Sequence, residues 1–304
     1  MTPQLRSGMV GLGNMGGRIA RRIRGGGFPI VGFDVDAAQA SRVGVEPTAS
    51  LADLVAAVDI VLFSLPDSRV VEGVVYGDDG LLTTCREGQV VVDLSTAAPA
   101  SSIRIHAELA ERGVRFLDAG ISGGAAAAEA GSLTVMAGGD GDALELVAPV
   151  LETFAPRVYH MGAPGSGHSA KLLNNFLNGI SLAATAEVMV AARKANLDLA
   201  QFLDVVNHSS GVNFATLNRF PRIIEGDYLE GGLTSNLMAK DLMLYLQFLQ
   251  ELEMTSFTGQ ACLGAFSLAA SLGYGDQISN RVVDAIGDVA GRVRIHDAEN
   301  GGDE

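Results

Sequence analysis

The stretch "MVGLGNMGGRIARRI", residues 9–23, constrains this chain more than any other. An apolar run ends in Gly11, Gly13 and Gly16, spaced GxGxxG, and an amphipathic helical pattern begins at once. Glycine permits a tight turn, lets the backbone approach a pyrophosphate, and leaves the N–H groups of the following helix pointing at negative charge. A strand that hands over to a helix in this way belongs to a βαβ unit and so to a parallel sheet. The spacing alone is a weak signal, and its context strengthens it. Asp34 closes the next apolar run, "PIVGFD", about 20 residues past the glycines, where a carboxylate accepts both hydroxyls of a ribose. It would repel a 2′-phosphate, and no Arg or Lys stands between it and Arg42, so the pattern favours NAD over NADP. The competing reading is a structural turn with Asp34 as a helix cap. Arg18, Arg21, Arg22 and Arg24 are assigned to the exposed face of the first helix.

From Gly8 to about Met161 the runs "GMVGLG", "PIVGFD", "DIVLFSLP", "QVVVDLS", "VRFLDAG" and "SLTVMAGG" read as strands. Helical periodicity lies between them, which predicts a doubly wound, mostly parallel sheet. After "MGAPGSG" the strands stop and long amphipathic helices follow, the first from about Gly167 to Asn196. The expected division is therefore 1–164, α/β and dinucleotide-binding; 165–296, all-α, for substrate and oligomerisation; and 297–304, an acidic tail. A length of 304 residues at 48% hydrophobic suits two such domains.

A net charge of −14 leaves no basic stripe for nucleic acid. No signal-peptide pattern and no apolar run of bilayer length is recognised, so no membrane partner is expected. Cys85 and Cys262 lack CxxC or His-rich surroundings, which predicts free thiols, no metal and a cytoplasmic location.

"GSGHSAKLLNN", residues 165–175, contains one of only three lysines, whereas 18 of the 21 Lys and Arg are arginine. Lysine can shed its proton once burial or a neighbouring cation lowers its pKa; arginine cannot. At helical spacing, Lys171, Asn174, Asn175 and Asn178 share one side of an otherwise apolar helix. Lys194 reads as surface or helix-dipole compensation. Lys240, beside Asp241 in "SNLMAKDLMLY", reads equally well as a surface ion pair. The glycines of "DAGISGG", residues 118–124, offer either a nest of N–H groups for a carboxylate or a flexible turn.

Together "GLGNMG", "DLST", "SGGAAAAEAGSLT", "GSGHSAKLLNN" and "KDL", in that order, resemble the β-hydroxyacid dehydrogenase family. That family includes 3-hydroxyisobutyrate dehydrogenase and tartronate semialdehyde reductase and is related to 6-phosphogluconate dehydrogenase. The resemblance covers nearly the whole chain. It implies a Rossmann domain followed by an all-helical domain, NAD as cofactor, and a short 3-hydroxy acid similar to 3-hydroxyisobutyrate as substrate. It further implies Lys171 as catalytic acid and base, Asn175 orienting substrate, and Ser122, Gly123 and Gly124 holding its carboxylate. Gly11, Leu12, Gly13, Asn14, Met15, Gly16, Asp34, Leu65, Pro66 and Thr96 would surround the cofactor, with Lys240 closing over cofactor and substrate. Two departures touch the substrate surroundings: Gly120 and Ile121 where the family often has Pro-Val, and Val212 where many members have arginine.

In oxidation, neutral Lys171 would accept the hydroxyl proton as hydride leaves the same carbon; Lys240 and a positive nicotinamide would favour a depressed pKa. His168 and His208 show no Ser or Asp partner arrangement in sequence and are read as structural or solvated. The alternatives are a decarboxylating sugar-phosphate dehydrogenase, which would need more basic residues in the second half, and a non-catalytic dinucleotide-binding regulator. The apolar second half suits a homo-oligomer, dimer or tetramer.

Overall fold

The computed structural model describes residues 5–296; the expected acidic tail, 297–304, lies outside them. The chain divides into two compact units, Met1–Lys171 and Leu172–Glu304.

The first unit is built on β1 (Ser7–Val10), β2 (Ile30–Phe33), β3 (Glu46–Pro47), β4 (Ile60–Phe63), β5 (Val90–Asp93), β6 (Arg115–Ser122), β7 (Thr134–Gly139) and β8 (Arg157–Gly162). They form one eight-stranded sheet in the order β3-β2-β1-β4-β5-β6-β7-β8. Every neighbouring pair is parallel except β6 with β7. The short β3 and the edge strand β8 were not among the six runs legible in the sequence. Side chains alternate between two cores, as a sheet covered on both faces requires. Met9, Leu62, Val92 and Leu117 face one cluster, and Val10, Phe63, Val91 and Phe116 face the other. From β1 the chain winds one way through β2 and β3 and the other way from β4 onward. The crevice beyond the carboxyl ends of β1 and β4 is the switch point at which such sheets take ligands.

Strand β6 outruns its neighbour. Its pairing with β5 ends at Asp118 opposite Asp93, whereas its antiparallel ladder with β7 continues to Ser122 opposite Thr134. The strand therefore extends past the predicted "VRFLDAG", and the expected glycine-rich loop at 118–124 shrinks to Gly123, between the strand end Ser122 and the helix start Gly124. The ladder with β7 satisfies the backbone groups that a flexible turn would have left to water.

The second unit is helical. Ser166–Lys194 runs for 29 residues, beginning in the first unit and continuing into the second, followed by Leu199–Asn207, Phe214–Asn218, Ser235–Glu251, Gly259–Ala269 and Val282–Val289 among others. Leu182, Ala186, Met189, Phe220, Met238, Leu242, Phe266 and Val282 form its core. The long helix corrects one expectation. It is long and apolar enough by composition to cross a bilayer, with a mean hydropathy of 1.2. Yet half of that stretch is buried inside the protein, as in the core helix of a globular unit.

Candidate active site

The glycine turn is shaped by contact as much as by conformation. Gly11 sits at φ +87°, and a Cβ there would lie 2.4 Å from the carbonyl oxygen of Ser64. A Cβ at Gly16 would lie 2.0 Å from the carbonyl oxygen of Gly11, so the helix Gly16–Gly25 starts against the turn itself. Gly13 is different: nothing lies within 4 Å of where its Cβ would be. It leaves the turn open outward, which is what close approach of a pyrophosphate needs. Beside it is a polar cavity of about 260 Å³ lined by Leu12, Gly13, Asn14, Gly17, Arg18, Arg21 and Arg42 among others. Arg18 and Arg21, assigned to the surface from sequence, thus line this cavity while also pairing with Glu129. Leu12 contributes only its backbone, since its side chain is buried in the core, and Met15 packs against the same core.

Asp34 accepts the Leu12 N–H at 2.7 Å through Oδ2 and the Asp36 N–H at 2.9 Å through Oδ1. Each oxygen keeps a lone pair for a ribose hydroxyl. Arg42 pairs with Asp36 at 2.8 Å. Leu65 and Pro66 follow β4, with the Leu65 N–H bound to Ser95 Oγ at 3.0 Å. Leu65 also lies against the glycine turn: a Cβ at Gly11 would meet its Cδ2 at 3.0 Å. Thr96, half-buried, follows β5, where buried Asp93 accepts the Ser95 N–H at 2.9 Å. These residues fit a dinucleotide: an open glycine turn, a helix N-terminus and a carboxylate at the end of β2.

At the end of β6, Ser122 is half-buried while Gly123 (φ +133°) and Gly124 (φ +73°) are exposed and open a seven-residue helix, Gly124–Ala130. The long helix starts against β6 and β7. Asp118, fully buried, accepts the Gly165 and His168 N–H groups at 2.7 Å each. Sequence reading missed this anchor; an Asp four residues before the Ser-Gly-Gly turn, in an otherwise apolar strand, was the available signal. Gly167 admits the close approach, since a Cβ there would lie 2.1 Å from the Asp118 carbonyl oxygen. Lys171, one turn on, is 9% exposed. A Cβ at Gly120 would meet Lys171 Cβ at 2.5 Å and Cγ at 2.9 Å. The departure at Gly120 therefore makes room for the lysine stem itself.

In the second unit, Asn175 is buried and donates from Nδ2 to Asp241 Oδ2 at 2.6 Å. Lys240 Nζ lies 2.9 Å from Asp241 Oδ1, an ionic contact rather than a well-directed hydrogen bond. Lys240 does form the ion pair the sequence allowed, but Asp241 is 3% exposed and links it to Asn175. Asn174, expected on the same side, is exposed; it turns away because position i+3 from Lys171 leads that stripe by about 60°, whereas Asn178 stays half-buried.

His168 does find a serine. Its Nδ1 is 2.7 Å from Ser102 Oγ, but it is fully buried and Nε2 has no hydrogen-bond partner among the described residues. Among the described residues no carboxylate orients the ring, so they do not form a nucleophilic triad. His208 is exposed and bonds the Asp204 carbonyl at 2.9 Å. Lys194 donates to the Ala290 carbonyl at 2.9 Å.

Residues 6–162 match the family described as the NAD-binding domain of 6-phosphogluconate dehydrogenase. Residues 165–286 match the NAD-binding region of NADP-dependent 3-hydroxyisobutyrate dehydrogenase. The NAD-dependent L-serine dehydrogenase of Pseudomonas aeruginosa is 36% identical over 280 residues, 88% of this chain and 93% of that one. The 2-(hydroxymethyl)glutarate dehydrogenase of Eubacterium barkeri is 34% identical over 250 residues, 81% of this chain and 83% of the other. Among solved structures, Mycobacterium tuberculosis 3-hydroxyisobutyrate dehydrogenase with L-serine superposes with a TM-score of 0.83 at 28% identity, covering 92% of this chain and 98% of that chain. With matches along both halves and relatives aligned almost end to end, the chain belongs to the β-hydroxyacid dehydrogenase family and is a hydroxyacid dehydrogenase that uses a nicotinamide cofactor.

Proposed function

We propose that the protein oxidises a short 3-hydroxy acid, of the 3-hydroxyisobutyrate or serine kind, with NAD, and that Lys171 moves the proton. The observation that carries this reading is the placement of Lys171: a nearly buried lysine held against Gly120 at the carboxyl end of the longest strand. When bound, the nicotinamide supplies the hydride acceptor. Lys171 takes the hydroxyl proton in oxidation and returns it to the carbonyl oxygen in reduction. Ser122 and the N–H groups of Gly123 and Gly124 receive the substrate carboxylate. Asn175, one turn beyond Lys171, orients the substrate with its amide fixed by Asp241, and Lys240 contributes positive charge toward substrate and cofactor. Gly11, Gly13, Asn14, Gly16 and the Leu12 and Met15 backbone hold the pyrophosphate, Asp34 the adenosine ribose, and Leu65, Pro66 and Thr96 the nicotinamide side.

The preference for NAD over NADP is part of this proposal: Asp34 would receive the ribose hydroxyls and repel a 2′-phosphate, and Arg42 is engaged by Asp36. Substrate choice falls among hydroxyisobutyrate, serine, threonate and hydroxymethylglutarate, on which the relatives are named as acting. The test is NADH formation across such a panel, with NAD and with NADP, and Lys171→Met alongside. Loss of a positioned acid and base lowers turnover by about 10² to 10⁴, with cofactor binding retained. Full activity in Lys171→Met would overturn the assignment.

We also propose a homo-oligomer, placed in the cytoplasm. Leu173, Leu177 and Val188 stay 45%, 63% and 48% exposed on the long helix, and an apolar stripe of that kind is costly to leave in water. Light scattering should give a mass at least twice the 31.5 kDa of one chain; a monomer across micromolar concentrations would refute this.

A further inference from the structure

Arg219, between the helices Phe214–Asn218 and Phe220–Ile223, is used by nothing in the proposed mechanism. Its guanidinium donates to Asn178 Oδ1 at 2.9 Å and to Asn280 Oδ1 at 3.1 Å, and Phe214 lies 5.7 Å away across its face. Both hydrogen-bond partners are neutral. Other arginines of this unit are treated differently: Arg222 pairs with Asp227, Arg281 with Asp284 and Glu230, and Arg294 with Asp284 and Asp288. Among the described residues no carboxylate pairs with Arg219, and burial pulls its pKa down to about 10, leaving it cationic at neutral pH. A desolvated cation without a counter-charge is costly, and such a group is retained where a ligand supplies the missing anion.

The remaining chemistry around it is one-sided. A guanidinium carries five N–H donors, of which two are spent on the asparagines. Asn280 spends its own amide on the Tyr228 carbonyl at 2.8 Å. Asn178 has its oxygen on Arg219 and its Nδ2 turned to no partner among the described residues. Arg219 and Asn178 are both half-buried residues rather than sealed ones. What they offer is N–H donors on a planar fork, the complement of a carboxylate. One positive charge matches a carboxylate better than a dianionic phosphate.

We propose that Arg219 and Asn178 form an anion site of the helical unit that takes the carboxylate of a small molecule. That carboxylate belongs either to the hydroxy acid itself, which rests on the hydroxy-acid reading above, or to a separate carboxylate ligand.

The test is calorimetric titration of the full-length protein with glutarate, alongside Arg219→Met and Asn178→Asp. The second variant places a carboxylate beside the guanidinium within the chain. It should lower glutarate affinity at least tenfold while holding or raising the melting temperature, a combination that mere loss of packing does not give. Arg219→Met should lower affinity by a similar factor. If it fails to fold, Asn178→Asp, which keeps the guanidinium, decides alone. Glutarate that competes with the hydroxy acid identifies the hydroxy acid as the site's ligand; glutarate that binds without competing identifies a separate ligand. Because binding is read without turnover, an inactive protein would count against the dehydrogenase reading only. Absence of glutarate binding, or binding undiminished in Asn178→Asp, would overturn the proposal.

Discussion

At the scale of single residues, charge and burial separate reactive groups from inert ones. Burial raises the thiol pKa of Cys85 to about 11 and of Cys262 to about 12, from an ordinary value of 9.0. At pH 8 the thiolate fraction is then roughly 10⁻³ and 10⁻⁴. Native protein should react with a thiol-specific disulfide reagent far more slowly than free cysteine, and both thiols should titrate in full only after denaturation; rapid native labelling would refute this. The folded thiols hold their protons longer than the unfolded ones. This part of the stability is therefore intact below about pH 9 and declines as pH rises toward 11 and 12. Lys171 was legible as the unusual residue because a lysine among arginines is a chemical choice visible in the sequence. Arg219 was not legible: an uncompensated cation is defined by what fails to surround it, and no spacing encodes that. Asp118 escaped for the related reason that its task is to receive N–H groups from residues 47 and 50 positions away.

Elements add the distinction between glycines that the fold needs and glycines that a ligand needs. A methyl group on Gly16 collides with the Gly11 carbonyl at 2.0 Å, whereas one on Gly13 meets nothing. Gly16→Ala should therefore lower the melting temperature and weaken cofactor binding together. Gly13→Ala should leave the melting temperature of the cofactor-free protein within a degree or two and weaken NAD binding selectively, measured by fluorescence titration. An equal loss of stability in the two variants would contradict this division. Sequence patterning found the six strands with continuous apolar runs because burial on both faces writes itself as such runs. It missed β3, only two residues long, and β8, whose residues are largely exposed. It also stopped β6 short, since Gly120 reads as punctuation until its pairing partner on β7 is known.

For the whole molecule, the change of texture near residue 165 marked where strands give way to helices. The division between the two compact units falls six residues later, inside a helix, where unbroken helical periodicity gives no sign of a boundary. The order of the motifs along the chain was readable: the glycine turn at 11–16, the Ser-Gly-Gly turn at 122–124 and Lys171 come first, and Asn175 and Lys240 follow. Which hydroxy acid fits was not, because a pocket's volume is set by packing between residues distant in sequence, which no spacing encodes.

The peptide bond between Lys171 and Leu172 falls near the start of the 29-residue helix, and this limits how such a gene can be divided or recombined. A fragment ending at Lys171 would keep only six residues of that helix, too few to hold a helical turn open to water on their own. A fragment beginning at Leu172 would keep the rest and lose the lysine. A crossover placed at the glycine-rich "GAPGSG", residues 162–167, leaves the helix whole but moves the lysine with the helical half. Exchange between relatives is thus expected to transmit lysine, Asn175 and Lys240 as one inherited block, with the cofactor turn free to come from another parent.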